Sequence, residues 1–308
     1  MNESYDLVII GGGPAGLNAA LYASRANLSV AFVEKSTPGG KLSATSKVEN
    51  WIGTEMIEGW QLAQEFFDHS QKYGAKYIYG DVVEVKNIDT THKEIYLASG
   101  QMIQAKTILV ATGMKNKVPT FIKNIDKFMN RGVSFCAICD GPLFGKNPTM
   151  VLGAGNSAVE ESAYLSSIAS EVHLVIKGGD FTAERRLVQD LYKLPNVKIH
   201  RFSQVLELKG DDSLKSAIIK DENGNEQEIT ISSFFPYIGM ESTAWFLQDL
   251  DILDSKGFII TDENMQTKVP GIFAAGDIRV KEIRQIITAA SDGAIAAKKI
   301  VDLVNTEK

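Results

Sequence analysis

Apolar residues in this chain come in short uninterrupted runs that end at glycine clusters, the pattern of strands buried on both faces. Residues 5–10 read as such a strand. Gly11-Gly12-Gly13-Pro14-Ala15-Gly16 follows, then a helix through about Arg25 and a second strand over 28–33 that ends at Glu34. The same order recurs later: a strand over 149–152, then Gly153-Ala154-Gly155-Asn156-Ser157-Ala158, a helix to about Ser167, and a strand over 171–176. Between these two β-α-β units, residues 77–86, 94–97 and 106–111 are strand-like. Residues 114–119 are polar and end in proline, which suits a linker, and 240–244 form a second candidate. Beyond it, 257–261 and 271–275 read as strands and 291–304 as a closing helix.

Two linkers that bracket a complete β-α-β unit predict an insertion. The outer domain would be residues 1–115 plus 245–308, and the inner one 116–244. A length of 308 residues exceeds what one core usually serves, which agrees with two domains. The expected fold class is α/β, with two Rossmann-like dinucleotide-binding domains.

Composition changes this picture little. Hydrophobic residues make up 44% and charged residues 23%, ordinary values for a globular protein. The net charge of −6, without a basic block, argues against nucleic acid or an anionic membrane as a partner. No apolar run approaches the ~20 residues that span a bilayer. The first four residues, Met1-Asn2-Glu3-Ser4, lack the basic and apolar regions of a signal peptide. A cytoplasmic location is expected.

The glycine clusters carry the first chemistry. In 11–16, Gly11 permits a tight turn, Gly13 lets the backbone approach a pyrophosphate, and Gly16 allows close helix–strand packing. The helix start offers free N–H groups and a partial positive charge. Glu34, eighteen residues after Gly16, stands where an acid accepts hydrogen bonds from the adenosine ribose. This fingerprint alone fits FAD and NAD equally.

The second chemistry lies in the only two cysteines, Cys136 and Cys139, which form one C-x-x-C. A secreted disulfide scaffold would use more, and a zinc site needs four ligands. His69, His92, His173 and His200 are isolated from one another in sequence. A redox-active pair accounts for the motif better than two inert thiols, because such a pair closes and reopens with little backbone movement. Asp140, directly adjacent, suits a general acid/base that moves protons between sulfurs.

Several segments together resemble the low-molecular-weight thioredoxin reductases, of the flavoprotein disulfide reductase type. They are Pro38-Gly39-Gly40-Lys41, Val48-Glu49-Asn50, Ala111-Thr112-Gly113, Ser134-Phe135-Cys136-Ala137-Ile138-Cys139-Asp140-Gly141, Gly271-Ile272-Phe273-Ala274-Ala275-Gly276-Asp277 and Arg284-Gln285-Ile286-Ile287-Thr288-Ala289-Ala290. They span nearly the whole chain in the family's order. The resemblance implies FAD in the outer domain, contacted or surrounded by Gly13, Pro14, Ala15, Glu34, Gly40, Lys41, Asn50, Gly113, Asp277, Arg284, Gln285 and Ile286, with Ala111, Thr112 and Gly276 in the same motifs. Lys41 stands where the family often has glutamine. By the same resemblance Cys139 exchanges electrons with the flavin, Cys136 attacks the disulfide of thioredoxin, the inner domain rotates on its linkers, and the protein is a homodimer.

The electron donor is the point of departure from the family. Gly153, Gly155, Asn156, Ser157 and Ala158 form an acceptable pyrophosphate loop for a pyridine nucleotide. NADPH-using relatives carry His-Arg-Arg and a further arginine after the next strand. Here Ile176-Lys177-Gly178-Gly179-Asp180-Phe181-Thr182-Ala183 keeps only Lys177, a point charge without the guanidinium fork. Arg185 and Arg186 lie one helical turn further on. NADPH is the expected donor, with NADH and reduced ferredoxin or flavodoxin as alternatives. A dithiol oxidase and a flavin-binding redox sensor are the competing functions.

Overall fold

The computed structural model describes residues 4–45 and 47–306, which form two compact units, Met1–Lys115 with Glu241–Lys308 and Asn116–Met240. The chain runs β1 (Ser4–Ile10), α1 (Pro14–Arg25), β2 (Val30–Glu34), the short pair β3 (Lys47–Val48) and β4 (Ile57–Glu58), α2 (Gly59–Gln71), β5 (Lys76–Tyr79), β6 (Val82–Asn87), β7 (Lys93–Leu97), β8 (Met102–Val110) and β9 (Met114–Asn116). The inner unit follows with α3 (Ala137–Asp140), β10 (Thr149–Leu152), α4 (Asn156–Ser166), β11 (Val172–Val175), α5 (Arg185–Leu191), β12 (Val197–His200), β13 (Gln204–Gly210), β14 (Leu214–Lys220), β15 (Glu226–Thr230) and β16 (Ser233–Pro236). The chain returns through β17 (Met240–Ser242) to β18 (Ile272–Ala274) and α6 (Ile286–Thr306).

In the outer unit a seven-stranded sheet has the order β5-β2-β1-β8-β7-β6, with β18 also beside β8. Strand β1 lies parallel to β2 and β8, and its apolar run serves two cores because side chains alternate between faces. Leu7 and Ile9 pack with Phe32, Leu109, Phe273 and the alanine-rich helices α1 and α6. Val8 and Ile10 pack on the other face with Val33, Ile108, Val110 and Leu247. Each such fully buried aliphatic side chain contributes about 1.5–3 kcal/mol.

The inner unit repeats the plan on a smaller scale. Strands β12-β11-β10-β16 form a parallel sheet, and β13-β14-β15 form a separate antiparallel one. One core gathers Phe128, Met150, Leu208 and Phe234; the other gathers Ala137, Val151, Val159, Leu174 and Phe235 against α4.

Several elements differ from the sequence expectation. Residues 77–86 are two strands: the pairing of β5 with β2 ends at Gly80, whose N–H donates to Glu34 O at 3.1 Å, and β6 pairs with β7 instead. No strand forms over 257–261, where Ile259 makes only single bridges to Leu253 and Arg279. The closing helix starts five residues early, at Ile286 rather than Ser291. The stretches read as linkers pair with each other as the two-stranded ribbon β17-β9.

Candidate active site

The outer unit assembles its glycine motifs around the start of α1. Gly11 has φ +109° and a Cβ there would lie 2.5 Å from Ala111 O; a Cβ on Gly16 would lie 2.0 Å from Gly11 O. Both positions therefore exclude any side chain. Gly13 is different: it caps α1 with no side-chain hydrogen bond, and a Cβ on it would meet nothing within 4 Å. Pro14 at the first helical turn has no N–H to satisfy. An open glycine at a helix start with uncapped N–H groups fits the pyrophosphate of a dinucleotide.

Distant segments converge on the same place. The Gly39 N–H donates to Gly12 O at 2.7 Å, and a Cβ on Gly40 would sit 3.4 Å from Gly13 Cα. A Cβ on Gly276 would sit 3.0 Å from Ala15 Cβ. The Ala111 N–H donates to Ile10 O at 2.7 Å, and the Thr243 hydroxyl is 2.9 Å from that of Thr112. Gly113, at φ +63°, has open space around it. The Glu34 carboxylate accepts from the Gly12 N–H at 2.9 Å and the Ser36 N–H at 2.8 Å, so it braces the loop.

Around Asp277 the chemistry is ionic. Lys41 Nζ lies 4.0 Å from Asp277 Oδ2, and the Arg284 guanidinium donates to Asp277 O at 3.4 Å. Burial raises the Asp277 carboxyl pKa, opposed by Lys41, Lys281 and Arg284. Burial lowers the Lys41 pKa, opposed by Asp277 and reinforced by Arg284. Asn50 Nδ2 donates to Gln285 Oε1 at 3.0 Å, which ties that loop to the start of α6 just before Ile286.

The inner unit has the second glycine loop. Gly153, at φ +144°, has room for no Cβ because Tyr237 O would be 2.3 Å away, and Ala158 is fully buried. Gly155 caps α4 without a side-chain bond, and Asn156 and Ser157 begin the helix. The Thr182 and Ala183 N–H groups both donate to Ala154 O, at 2.9 and 3.1 Å, and the Glu184 N–H donates to Asn156 Oδ1 at 2.8 Å. Segment 182–184 therefore lies along the loop, a contact the sequence did not reveal. Lys177 is exposed two residues beyond β11. A Cβ on Gly178 would meet nothing, whereas one on Gly179 would sit 2.4 Å from the Phe202 ring. Arg201 donates to Gly179 O at 2.9 Å and to the Tyr192 hydroxyl at 2.7 Å, so a second cation stands at this turn.

Cys136 and Cys139 form a disulfide with S–S 2.02 Å and Cα–Cα 5.3 Å. Cys136 caps α3, and its Sγ accepts from the Cys139 N–H at 3.2 Å. The buried Ser134 hydroxyl donates to Asp140 Oδ2 at 2.5 Å and accepts from the Cys136 N–H at 3.1 Å. Ser134, to which the sequence assigns no role, ties the Asp140 carboxylate to the backbone of Cys136. The pair can exchange with an external disulfide.

A family model described as "Pyridine nucleotide-disulphide oxidoreductase" matches residues 5–293. The chain is 49% identical over 303 residues to a thioredoxin reductase of Mycoplasmopsis pulmonis, covering 98% of each protein. It superimposes on the crystal structure of Lactococcus lactis thioredoxin reductase with a TM-score of 0.94 and 36% identity, covering 98% of this chain and 99% of that one. It is also similar to a ferredoxin-flavin thioredoxin reductase from Clostridium acetobutylicum, with TM-score 0.53, 25% identity and coverage of 99% and 100%.

Proposed function

Because the chain belongs to the pyridine nucleotide-disulphide oxidoreductase family, we propose an electron path that runs from NADPH through FAD and the Cys136–Cys139 disulfide to thioredoxin. The enzyme is a thioredoxin reductase, an oxidoreductase acting on a sulfur group. The observation that carries this reading is the Cys136–Cys139 disulfide flanked by Asp140, in the unit that also holds the second glycine loop. A redox sensor would need no such relay to a second disulfide.

Gly13, Pro14 and Ala15 would hold the FAD pyrophosphate, Glu34 the adenosine ribose, and Gly40, Lys41, Asn50, Gly113, Asp277, Arg284, Gln285 and Ile286 the remainder. When bound, the flavin supplies two-electron transfer between a nicotinamide and a disulfide. The chain's own residues do the rest. Reduction of the Cys136–Cys139 bond takes two electrons and two protons. The Cys136 thiolate then attacks a disulfide sulfur of thioredoxin, and the departing sulfur takes a proton from Asp140. Cys139 next attacks Cys136 Sγ, which closes the disulfide again and releases the second thioredoxin sulfur as a thiol.

Lys177, with Gly153, Gly155, Asn156, Ser157 and Ala158, supports a pyridine nucleotide as donor. A second reading, reduced ferredoxin or flavodoxin, is supported by the absence of the family's arginines from residues 176–183 and by the Phe202 ring that blocks a side chain at Gly179. The proposed setting is a cytoplasmic homodimer, on the family resemblance; among the described residues no helix is long and apolar enough to cross a membrane.

Anaerobic mixing of the yellow protein with NADPH, then NADH, tests the path through loss of visible flavin absorbance. Fast bleaching by NADPH with thioredoxin turnover is the expected result. Bleaching by NADH alone would reassign the donor. Bleaching by neither, in protein whose flavin dithionite still reduces, would favour the protein donor or a dithiol oxidase.

A further inference from the structure

In a β-α-β dinucleotide unit the end of the second strand meets the adenosine ribose. An acid there bonds a free 2′-hydroxyl, and an arginine nearby accommodates a 2′-phosphate. In the outer unit that place is Glu34, eighteen residues after Gly16. The same spacing from Ala158 reaches Ile176, a fully buried apolar residue, so the inner unit has no acid at that position. The turn that follows, Lys177-Gly178-Gly179-Asp180, is largely exposed.

Three consecutive residues beyond β12 hold this turn. The Ser203 N–H donates to Ile176 O at 3.1 Å, the Phe202 N–H to Gly178 O at 3.2 Å, and Arg201 Nε to Gly179 O at 2.9 Å. Phe202 has φ +49°, a left-handed backbone that a bulky residue rarely adopts. Such conformations persist where the surroundings over-determine them, and they gather at ligand sites. At its other end the segment meets the glycine loop, where the Thr182 and Ala183 N–H groups share Ala154 O. Arg201 is thus bonded to the same short segment, 179–183, that is bonded to the pyrophosphate loop.

Two bonds also fix where the guanidinium points. Besides the Nε bond to Gly179 O, Nη2 donates to the Tyr192 hydroxyl at 2.7 Å, and the group lies 5.9 Å from the centre of the Tyr192 ring. A brace for the turn is served by the first bond alone. The second holds an exposed side chain in one orientation, with both bonds on its Nε and Nη2 nitrogens. Among the described residues no carboxylate forms an ion pair with Arg201, although Asp180 follows Gly179 in the chain. An oriented, exposed guanidinium without a counter-ion suits a planar anion such as a phosphate.

We propose that Arg201, together with Lys177, recognises the 2′-phosphate of NADPH, so that the guanidinium missing from residues 176–183 is supplied from the end of the next strand, β12. This rests on the pyridine-nucleotide reading given above and names the residue that selects NADPH over NADH. Arg201 provides the fork and Lys177 a point charge. Tyr192 is a positioning residue that acts through Arg201.

The test is calorimetric binding of adenosine 2′,5′-bisphosphate and of 5′-AMP to the flavin-loaded protein, at low and high salt. The two probes differ only in the 2′-phosphate. The wild type is expected to bind the bisphosphate about tenfold more tightly, the scale of one hydrogen bond to a charged group, with a smaller preference at high salt. Arg201→Gln should lose most of that preference with 5′-AMP affinity unchanged. Arg201→Lys should keep part of it, because the charge remains without the fork. Lys177→Gln and Tyr192→Phe should each reduce the preference a few-fold, and they leave the Arg201 bond to Gly179 in place should Arg201→Gln fold poorly. Equal weakening of both probes in Arg201→Gln would mean a structural brace only and would overturn the proposal. So would an unchanged preference in both Lys177→Gln and Tyr192→Phe, or a preference lost in Arg185→Gln but kept in Arg201→Gln. Equal affinities of the wild type for the two probes would sink the 2′-phosphate site and leave a pyridine-nucleotide donor standing. Binding of neither probe would sink the pyridine-nucleotide reading itself.

Discussion

The Ser134 hydroxyl donates to Asp140 Oδ2 at 2.5 Å while it accepts from the Cys136 N–H at 3.1 Å, so one buried side chain fixes both the acid and the backbone of the first cysteine. Hydrogen bonds to charged groups contribute about 1.5–3 kcal/mol. Ser134→Ala should therefore slow thioredoxin reduction by about tenfold or more. Its flavin content should be unchanged, because the lost bonds lie wholly in the inner unit. Full kcat/KM in the variant would show that Asp140 needs no such support.

Cys139→Ser removes the disulfide and leaves the outer unit untouched. The variant should bind FAD normally and fail to reduce thioredoxin in a steady-state assay. Retained turnover would exclude the cysteine pair from the electron path.

A methyl group at Gly16 would lie 2.0 Å from Gly11 O, a contact that backbone movement alone can relieve. Gly16→Ala should open the turn that precedes α1 and purify with little flavin, measured as the ratio of visible to ultraviolet absorbance. The open side at Gly13 predicts a milder outcome for Gly13→Ala in the apoprotein, whose thermal midpoint should stay within a few degrees of the wild type, as for a change of about 1 kcal/mol. On the proposed placement of the FAD pyrophosphate at Gly13, its loss should show in FAD affinity.

The contrast between Gly16 and Gly13 also shows what a sequence can carry. Residues 5–34 and 149–176 were legible because a local signal decides each step: an apolar run, a glycine that only one backbone shape requires, then helical spacing. The strand expected over 257–261 failed for a non-local reason. Phe258, Ile259 and Ile260 have strand composition, but Ile259 finds only single bridges and no ladder. Helix α6 begins at Ile286, whose side chain packs against the cluster of Leu42 and Leu62. The Thr288 hydroxyl closes the turn by accepting from the Gln285 N–H, despite the modest helix preference of these residues. The same limit applies to the site. Asp140 stands beside Cys139 in the chain, whereas segment 182–184 meets Ala154 and Asn156 only in the folded unit, and no spacing in the sequence links them.

His173 on β11 and His200 on β12 stack with ring nitrogens 3.0 Å apart, and His173 also meets Glu171 at 2.7 Å. Burial pulls His173 down to about 4, with Glu171 opposing and His200 and Lys198 reinforcing. Burial also lowers His200. The folded state thus binds fewer protons than the unfolded chain, whose histidine pKa is near 6.5, so stability is full above about pH 6.5 and falls as pH drops towards 4. The loss attributable to His173 should be on the order of 1–3 kcal/mol. Urea melts between pH 7 and 4.5 should show this slope in the wild type and a shallower one in His173→Asn. Parallel slopes would place the acid sensitivity elsewhere.

Asp292 on α6 joins three donors with one oxygen. Its Oδ2 accepts from the Gly276 N–H at 3.0 Å, Arg279 Nη1 at 2.9 Å and Lys281 Nζ at 2.9 Å, and the residue is 7% exposed. Arg279 and Lys281 are themselves largely enclosed, with side chains 12% and 13% exposed. Asp292→Ala would remove the carboxylate oxygen that both cations bond and release the turn before Asp277. Breaking a buried pair from one side costs about 3–5 kcal/mol. The variant should therefore lose much of its stability in denaturant melts and release flavin at lower urea than the wild type. Asp292→Asn keeps an acceptor for Gly276 and should lie between the two. If Asn and Ala behave alike, the negative charge matters and the backbone bond does not; if Ala behaves like the wild type, the cluster contributes nothing and Asp277 is held by Lys41 and Arg284 alone.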